Sequence, residues 1–199
     1  MFDISKKIDD KLILNEKEYQ LFLSFDRVLK VFDMWSDNEI NDLIKPNLAL
    51  CMLTKTDDFR TLQFKQAMDL YEQVFNEHIK IVKLADQIDR YDIAGNLLPK
   101  KPIKKKDDDE DDEVRLLDIK YDGEFIYSSF MQAYRIDLIE EQGKLHWLKF
   151  NALLNGLPDG TKMIEVVNIR AWKPSKGESD KEQSIKRKLQ AEYALPQKN

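Results

Sequence analysis

The 199-residue chain is long enough for one compact domain, or for a domain with a smaller lobe. It is 42% hydrophobic and 35% charged with a net charge of −5, which excludes a broadly cationic, nucleic-acid-binding surface. A lone cysteine, Cys51, excludes an internal disulfide and indicates a reducing compartment. The start, MFDISKKIDDKLIL, lacks the apolar core of a signal peptide, and no later run approaches the roughly 18 apolar residues of a membrane span. We expect a cytoplasmic protein with no nucleic-acid or membrane partner.

The N-terminal half is predicted to begin with a small β-hairpin, because apolar and polar residues alternate in LILNEKEYQLFL, residues 12–23. The turn Asn15–Lys17 lacks the glycine that is typical of tight hairpins. A helix is predicted next, on the helical spacing of four apolar residues: Val28, Val31, Phe32 and Trp35. Ser36 and Glu39 have the spacing of a capping box and predict a short helix that ends at Pro46.

The longest helix of this half is predicted from Leu62 to about Tyr91, with apolar residues on two of its flanks. His78 lies on one of these flanks, with no carboxylate or cysteine at ligand spacing. A lone histidine among aromatic residues is typical of the interior or boundary of a domain, so we predict no metal site there.

Residues 98–113, LPKKPIKKKDDDEDDE, are predicted to be a disordered charged linker, because a lysine block and an acidic run cannot build a core. The opposite charges could also form an electrostatic docking strand, but a solvated tether is the simpler interpretation. The linker divides the chain into an N-terminal part, 1–97, with the hairpin and helices, and a helical C-terminal part, 114–199. We expect the two parts to pack as one unit with a mainly α-helical fold.

Four helices are predicted after the linker. The first spans Phe125–Tyr134 and is amphipathic. The second occupies the stretch from Leu145 to about Gly156, and the third is capped by Thr161. The last runs from about Ser179 to Tyr193 and is charged on most of its faces.

The stretch KLHWLKFNALLN, residues 144–155, raises the question of a catalytic centre because it contains one of the two histidines. His146 would need a nucleophile or a carboxylate oriented toward it, and none lies within a helical turn. We therefore interpret the stretch as a core helix with two apolar faces. The chain contains no phosphate-binding loop, dinucleotide motif or nucleophile elbow, and one cysteine with two histidines cannot supply a four-ligand zinc set. We predict no catalytic residue, no metal site and no cofactor.

The second apolar face of such a helix can be covered by the protein itself, or it can accept the amphipathic helix of another protein. Exposed aromatic side chains would be the natural anchors of such a groove. The candidate partner-binding residues are therefore Trp147, Phe150, Leu154, Tyr127 and Tyr134.

The C-terminal part resembles a known family. The most specific stretches are YSSFMQAY with the following Ile136-Asp137-Leu138, the pair His146-Trp147 with Lys149-Phe150, and YALP at 193–196. They are similar to the gene-product-fifteen family of bacteriophage tail proteins, which are encoded near the tape-measure protein of long, non-contractile-tailed phages and prophages. The resemblance covers residues 113–196 best.

The chain departs from the family pattern at three positions. Glu16 stands where a turn glycine is expected, Arg135 stands where glycine is common before Ile-Asp, and Leu148 replaces a second tryptophan. The N-terminal half is similar to the family in the order of its elements, a hairpin followed by helices.

The resemblance implies a non-enzymatic tail assembly protein, and in particular a chaperone that covers apolar helical stripes of the tape-measure protein before the tail tube polymerises. The implied partner is that tail protein, and the implied location is the cytoplasm of the bacterial host. Two alternatives stay open at this point. One is a structural component of the virion, at the tail or its connector, and the other is a nuclease or hydrolase that uses a metal held by acidic residues.

Overall fold

The computed structural model describes residues 5–80, 116–174 and 178–196. The fold is mainly α-helical with an N-terminal two-stranded antiparallel hairpin, which confirms the predicted fold class. The elements in chain order are β1 (Lys11–Leu14), β2 (Lys17–Gln20), α1 (Phe25–Ser36), α2 (Lys45–Thr54), α3 (Phe64–Val74), a π-helical segment (Phe75–Ile79), α4 (Gly123–Tyr134), α5 (Trp147–Asn155), α6 (Lys162–Ala171) and α7 (Asp180–Glu192). The predicted linker, 98–113, lies outside the described residues.

The hairpin turns through two residues between β1 and β2, and Leu14 pairs with Lys17. Asn15 and Glu16 have φ values of 49° and 63°. This left-handed conformation is the one that both central residues of a type I′ turn require. Side chains alternate across the hairpin as predicted, since Leu12 is buried and Ile13 is 66% exposed.

The short helix predicted between Ser36 and Pro46 is wrong. The described residues there form turns, and α1 continues through Ser36, whose hydroxyl donates to the Phe32 carbonyl at 3.0 Å. Pro46 lies in the first turn of α2, where a helix needs no backbone N–H. Proline can stand in the first turn of a helix or just after the end of one. The sequence pattern predicted that Pro46 ends a helix, whereas it lies at the start of α2.

The helix predicted from Leu62 to Tyr91 begins at Phe64. After Val74 the helix widens into the π-helical segment Phe75–Ile79, and Lys80 is extended. Residues 81–91 lie outside the described residues.

The chain forms two compact units. The first contains the described residues 5–80 and 130–157, and the second contains 116–129 and 158–196 apart from 175–177. Helix α4 therefore begins in the second unit and belongs to the first from Phe130 onward. The packing of the N-terminal and C-terminal parts as one unit stays a prediction.

Aromatic rings form the centre of the first unit, in which α1 packs against α2 and α5, and α2 packs against α3. The Phe150 ring stacks on Phe25 at 4.9 Å, on Phe130 at 5.4 Å and on Trp147 at 5.9 Å between centroids. Offset contacts of this kind stabilise a core beyond the burial of their area.

In the second unit, a buried serine links two helices. The Ser129 hydroxyl donates to the Phe125 carbonyl at 2.7 Å within α4 and accepts the Met163 amide of α6 at 2.9 Å. The same hydroxyl therefore satisfies one of the free amides at the start of α6. Helix α7 opens with a complete capping box between Ser179 and Glu182, as expected for a helix with no buried residue.

Candidate functional site

His146 caps helix α5 and does not lie within it, which corrects its predicted position. Its ring Nδ1 accepts a hydrogen bond from the Leu148 amide at 3.1 Å. The residue also pairs with Ser24 as an isolated β-bridge, and the next amide, that of Trp147, donates to the Leu23 carbonyl at 2.7 Å. The start of α5 is therefore fixed against the segment that leads into α1.

A carboxylate from a distant part of the chain faces both histidines, in addition to the residues within a helical turn that the sequence analysis considered. His146 Nε2 lies 3.0 Å from Asp10 Oδ2, and His78 Nδ1 lies 3.8 Å from Asp10 Oδ1. The three side chains are only 13–14% exposed. The sequence gives no sign of this cluster, because Asp10 and His146 are 136 positions apart.

The hydrogen bonds of the His146 ring fix its protonation pattern. Because Nδ1 accepts the Leu148 amide, the proton of the neutral ring is on Nε2, which donates it to Asp10. Neither ring nitrogen has a free lone pair, and in the described residues the ring bonds to no hydroxyl or thiol. A general base needs an available lone pair within reach of the proton that it removes. His146 in this arrangement is a structural residue.

The cluster also lacks the geometry of a metal site. Within the described residues, no group of three or more His, Cys, Asp or Glu side chains is arranged to hold a metal ion. At 3.8 Å, the contact between His78 and Asp10 is longer than a hydrogen bond, and Asp10 Oδ1 is buried without a hydrogen-bond partner in this part of the chain.

Two other reactive groups are held in their protonated forms. Burial raises the pKa of the Cys51 thiol above its usual range, so little thiolate forms at neutral pH. Burial likewise raises the pKa of Tyr71 to about 12.

Three of the five candidate partner-binding residues lie in the core of the first unit. Trp147 is 3% exposed, Phe150 1% and Leu154 9%. The Trp147 indole N–H donates to the Ile79 carbonyl at 2.8 Å, so even its polar atom is satisfied internally. These side chains cannot contact a partner unless the unit opens, and their role in binding stays a prediction.

The remaining two candidates are half-buried and belong to different units. Tyr134 donates its hydroxyl to the Leu153 carbonyl at 2.9 Å and packs edge-on against Phe130. Tyr127 lies in the second unit and makes interactions of its own there. The structure does not bring the five candidates together as an exposed groove within either unit.

The strongest polar site in the described residues is a buried ion pair in the second unit. Arg170 donates to both carboxylate oxygens of Asp122 at 2.8 Å, to the Leu116 carbonyl at 2.9 Å and to the Tyr193 carbonyl at 2.7 Å. Bidentate pairing of this kind is strong and geometrically specific. Its role is to join α6 to the start of α4 and the end of α7. The sequence indicates this ion pair only through the position of Arg170, a charged residue near the end of the largely apolar stretch MIEVVNIRA.

In the part of the chain that the structure describes, no helix is both long enough and apolar enough to span a membrane. The geometry defines a mostly helical protein in which His146 caps α5 and the buried Arg170–Asp122 pair joins α6 to its neighbours.

Comparison with known proteins identifies the family. The family described as Bacteriophage Gp15 protein matches residues 8–195, which is almost the whole chain. No curated protein and no solved structure matches the chain. The chain therefore belongs to the bacteriophage Gp15 protein family, a structural or assembly kind of protein and not a known enzyme family.

Proposed function

We propose that this protein is a non-enzymatic tail assembly chaperone, which binds the tape-measure protein in the host cytoplasm before the tail tube forms around it. The observation that carries the proposal is the family match over residues 8–195. His146 and the buried ion pair join parts of the fold, and the family is not a known enzyme family.

The physical basis of the proposal is the burial of apolar surface. A long helical protein with an apolar stripe aggregates in water until that stripe is covered. Several modest contacts with a chaperone would cover the stripe and still allow tube subunits to replace the chaperone, because release requires a fast off-rate.

The test is co-purification. The chain is co-expressed with the long helical protein encoded beside it in the phage genome, and a tag on one of them is used to recover both. The proposal predicts that the two proteins are recovered together in the soluble fraction before assembly. Failure to recover the two proteins together from a lysate that contains both in soluble form contradicts it.

Purified phage particles distinguish the chaperone from a structural virion component. A chaperone is released during assembly, so quantitative mass spectrometry should find the chain absent from mature particles. A fixed stoichiometry in those particles would assign it to the tail or the connector.

A further inference from the structure

Three large apolar side chains are exposed at the starts of α2 and α3 or just before them. Leu43 is 59% exposed, Ile44 48% and Phe64 45%. Single exposed apolar residues are common on soluble proteins, whereas several together mark interaction sites. These three residues are called the apolar patch below.

Hydrogen bonds bring the patch residues together. Ile44 is the residue just before α2, and Phe64 is the first residue of α3. The Asn47 side chain, in the first turn of α2, donates to the carbonyls of Phe59 and Leu62 at 2.8 and 2.9 Å. The loop that enters α3 is therefore fixed against the start of α2, so α3 begins near the end of α2 at which Ile44 lies.

The chain segment before α2 is also held in place. The Asn41 side chain accepts the Leu43 amide at 2.9 Å. The Lys45 ammonium group donates to the Trp35 carbonyl at 3.0 Å and lies 2.7 Å from the Asp42 carboxylate. A surface that is already ordered loses little conformational entropy when it binds a partner.

The chain segment that carries Leu43 and Ile44 is acidic, whereas Lys65, the residue after Phe64, is an exposed lysine. Residues 33–44 contain four acidic side chains and no lysine or arginine: Asp33, Asp37, Glu39 and Asp42. The next residue, Lys45, is only 4% exposed and forms an ion pair with Asp42, so the acidic side chains of this segment that Lys45 does not offset are Asp33, Asp37 and Glu39. An apolar partner surface with basic side chains beside it is attracted to such a rim, and an acidic one is repelled.

We propose that the apolar patch is the docking site for an amphipathic helix of a partner protein that carries lysine or arginine beside its apolar stripe. The proposal rests on the proposed function, in which the partner is the helical tail protein. Beyond the proposed function, it identifies the surface of this chain that binds the partner and the charge of the partner segment that is bound. A helix suits the patch because apolar residues three and four positions apart lie on one helix face.

The first test uses two synthetic peptides of about 20 residues, a length at which an amphipathic helix can form. Both carry the same leucine stripe, which is flanked by lysines in one and by glutamates in the other. Fluorescence anisotropy with the full chain should show that the lysine peptide binds about tenfold or more tightly than the glutamate peptide. Raising the salt from about 50 mM to about 500 mM should reduce that difference. Equal binding of the two peptides would overturn the proposal.

Variants locate the binding surface. The triple change Leu43→Ser, Ile44→Ser and Phe64→Ser should weaken binding of the lysine peptide about tenfold or more, because it removes the apolar contacts. Ile13→Ser is the matched control, because Ile13 is equally apolar and exposed in the same unit, and it should bind like the wild type. An unchanged affinity in the triple variant overturns the proposal.

A charge change tests the rim without touching the apolar contacts. Glu39→Lys should weaken the lysine peptide several-fold, whereas Glu140→Lys, an equal change of charge elsewhere on the first unit, should have a much smaller effect. Equal effects of the two changes would show that only net charge matters, and they would contradict a site at the patch. Thermal melts followed by circular dichroism confirm that each variant is folded.

Co-expression with the helical tail protein separates the two proposals. If the wild-type chain binds that protein and the triple variant binds it equally well, the docking site is overturned and the proposed function stands. If the wild-type chain distinguishes the peptides as expected but does not bind the tail protein, the docking site stands and the proposed function fails.

Discussion

Glu16 and Arg135 have left-handed backbone conformations, with φ values of 63° and 57°. Both are positions where the family resemblance led us to expect glycine. An L-amino acid in this conformation is destabilised by roughly 1–2 kcal/mol, because its Cβ crowds the backbone. Glycine would avoid that crowding at the hairpin turn and after the end of α4. Glu16 and Arg135 therefore introduce local backbone strain without changing the fold.

Glu16→Gly and Arg135→Gly should therefore each stabilise the protein, by about 0.5–1 kcal/mol once the greater freedom of glycine in the unfolded chain is included. Urea denaturation measures the change in free energy of unfolding. Gly143→Ala is the opposite control, because Gly143 has a φ of 74° and should lose stability when it gains a Cβ. A loss of stability in both glycine variants would show that their side chains make compensating contacts.

The side-chain cap that His146 provides at the start of α5 should contribute to stability. His146→Ala removes the acceptor of the Leu148 amide and the donor to Asp10, and should lower the free energy of unfolding by about 1–3 kcal/mol. His146→Asn keeps an acceptor and a donor and should lose less. Chemical denaturation of both variants measures the difference. An alanine variant as stable as the wild type would exclude the capping role.

Residue-level contacts of this kind could not be predicted from the sequence. The sequence placed His146 beside a core tryptophan, which the structure supports, since Trp147 is buried. It could not identify Asp10 as the partner, because their proximity depends on how the whole first unit folds. The exposure of individual side chains was equally hard to predict. Trp147 and Phe150 are residue types that often anchor a binding partner, but both lie in the core.

At the scale of elements, periodicity predicted the hairpin and the helix that begins near Phe125, because one face of each is buried in a regular pattern. It predicted boundaries less well. Ser36 and Glu39 have capping spacing, but the Ser36 hydroxyl bonds back into α1 and Pro46 opens α2. Local signals allow both arrangements, and the packing of α2 against α1 and α3 decides between them.

The ion pair of Arg170 and Asp122 should be the most sensitive link between elements. Arg170→Ala leaves a buried carboxylate without its counter-ion and removes a donor to two backbone carbonyls, and should destabilise the protein by about 3–5 kcal/mol. The matched control is Lys186→Ala, which breaks a more exposed contact with Glu178 and should change stability by less than about 1 kcal/mol. Equal small effects in urea denaturation would show that the pair is not needed to hold α6.

Asp26 connects α1 to the loop before α5 and gives a prediction about pH. Burial alone would raise its pKa, but hydrogen bonds from the Gly143 amide and Ser24, with the nearby Lys30 charge, hold the pKa below its ordinary value of 3.8. The folded state therefore binds this proton less readily than the unfolded state. The stabilisation from Asp26 is complete above the unfolded pKa and is lost as the pH falls through the folded pKa.

Asp26→Asn should therefore reduce stability near neutral pH and have a smaller effect at pH values below 3.8, where the stabilisation from the wild-type charge is being lost. Urea denaturation at several pH values measures this difference. Asp33→Asn, on the same helix, serves as the control. A stability difference from wild type that does not change with pH would contradict the role of the Asp26 charge.

For the whole molecule, composition and periodicity predicted a mainly helical protein, and the family resemblance agrees with the match over residues 8–195. The division into compact units was not visible in the sequence. The stretch 130–157 lies after the charged linker but belongs with the N-terminal residues, because Phe130, Trp147 and Phe150 complete an aromatic core begun by Phe25. Sequence distance says little about which rings meet in such a core.

The proposed chaperone keeps the apolar stripes of a helical tail protein out of water. The most direct measurement is the soluble fraction of the tape-measure protein after centrifugation of cells that express it with and without this chain. Most of the tape-measure protein should be soluble only when the chain is present, and the Ile13→Ser variant should preserve this effect. A soluble fraction that is the same with and without the chain would contradict the proposal.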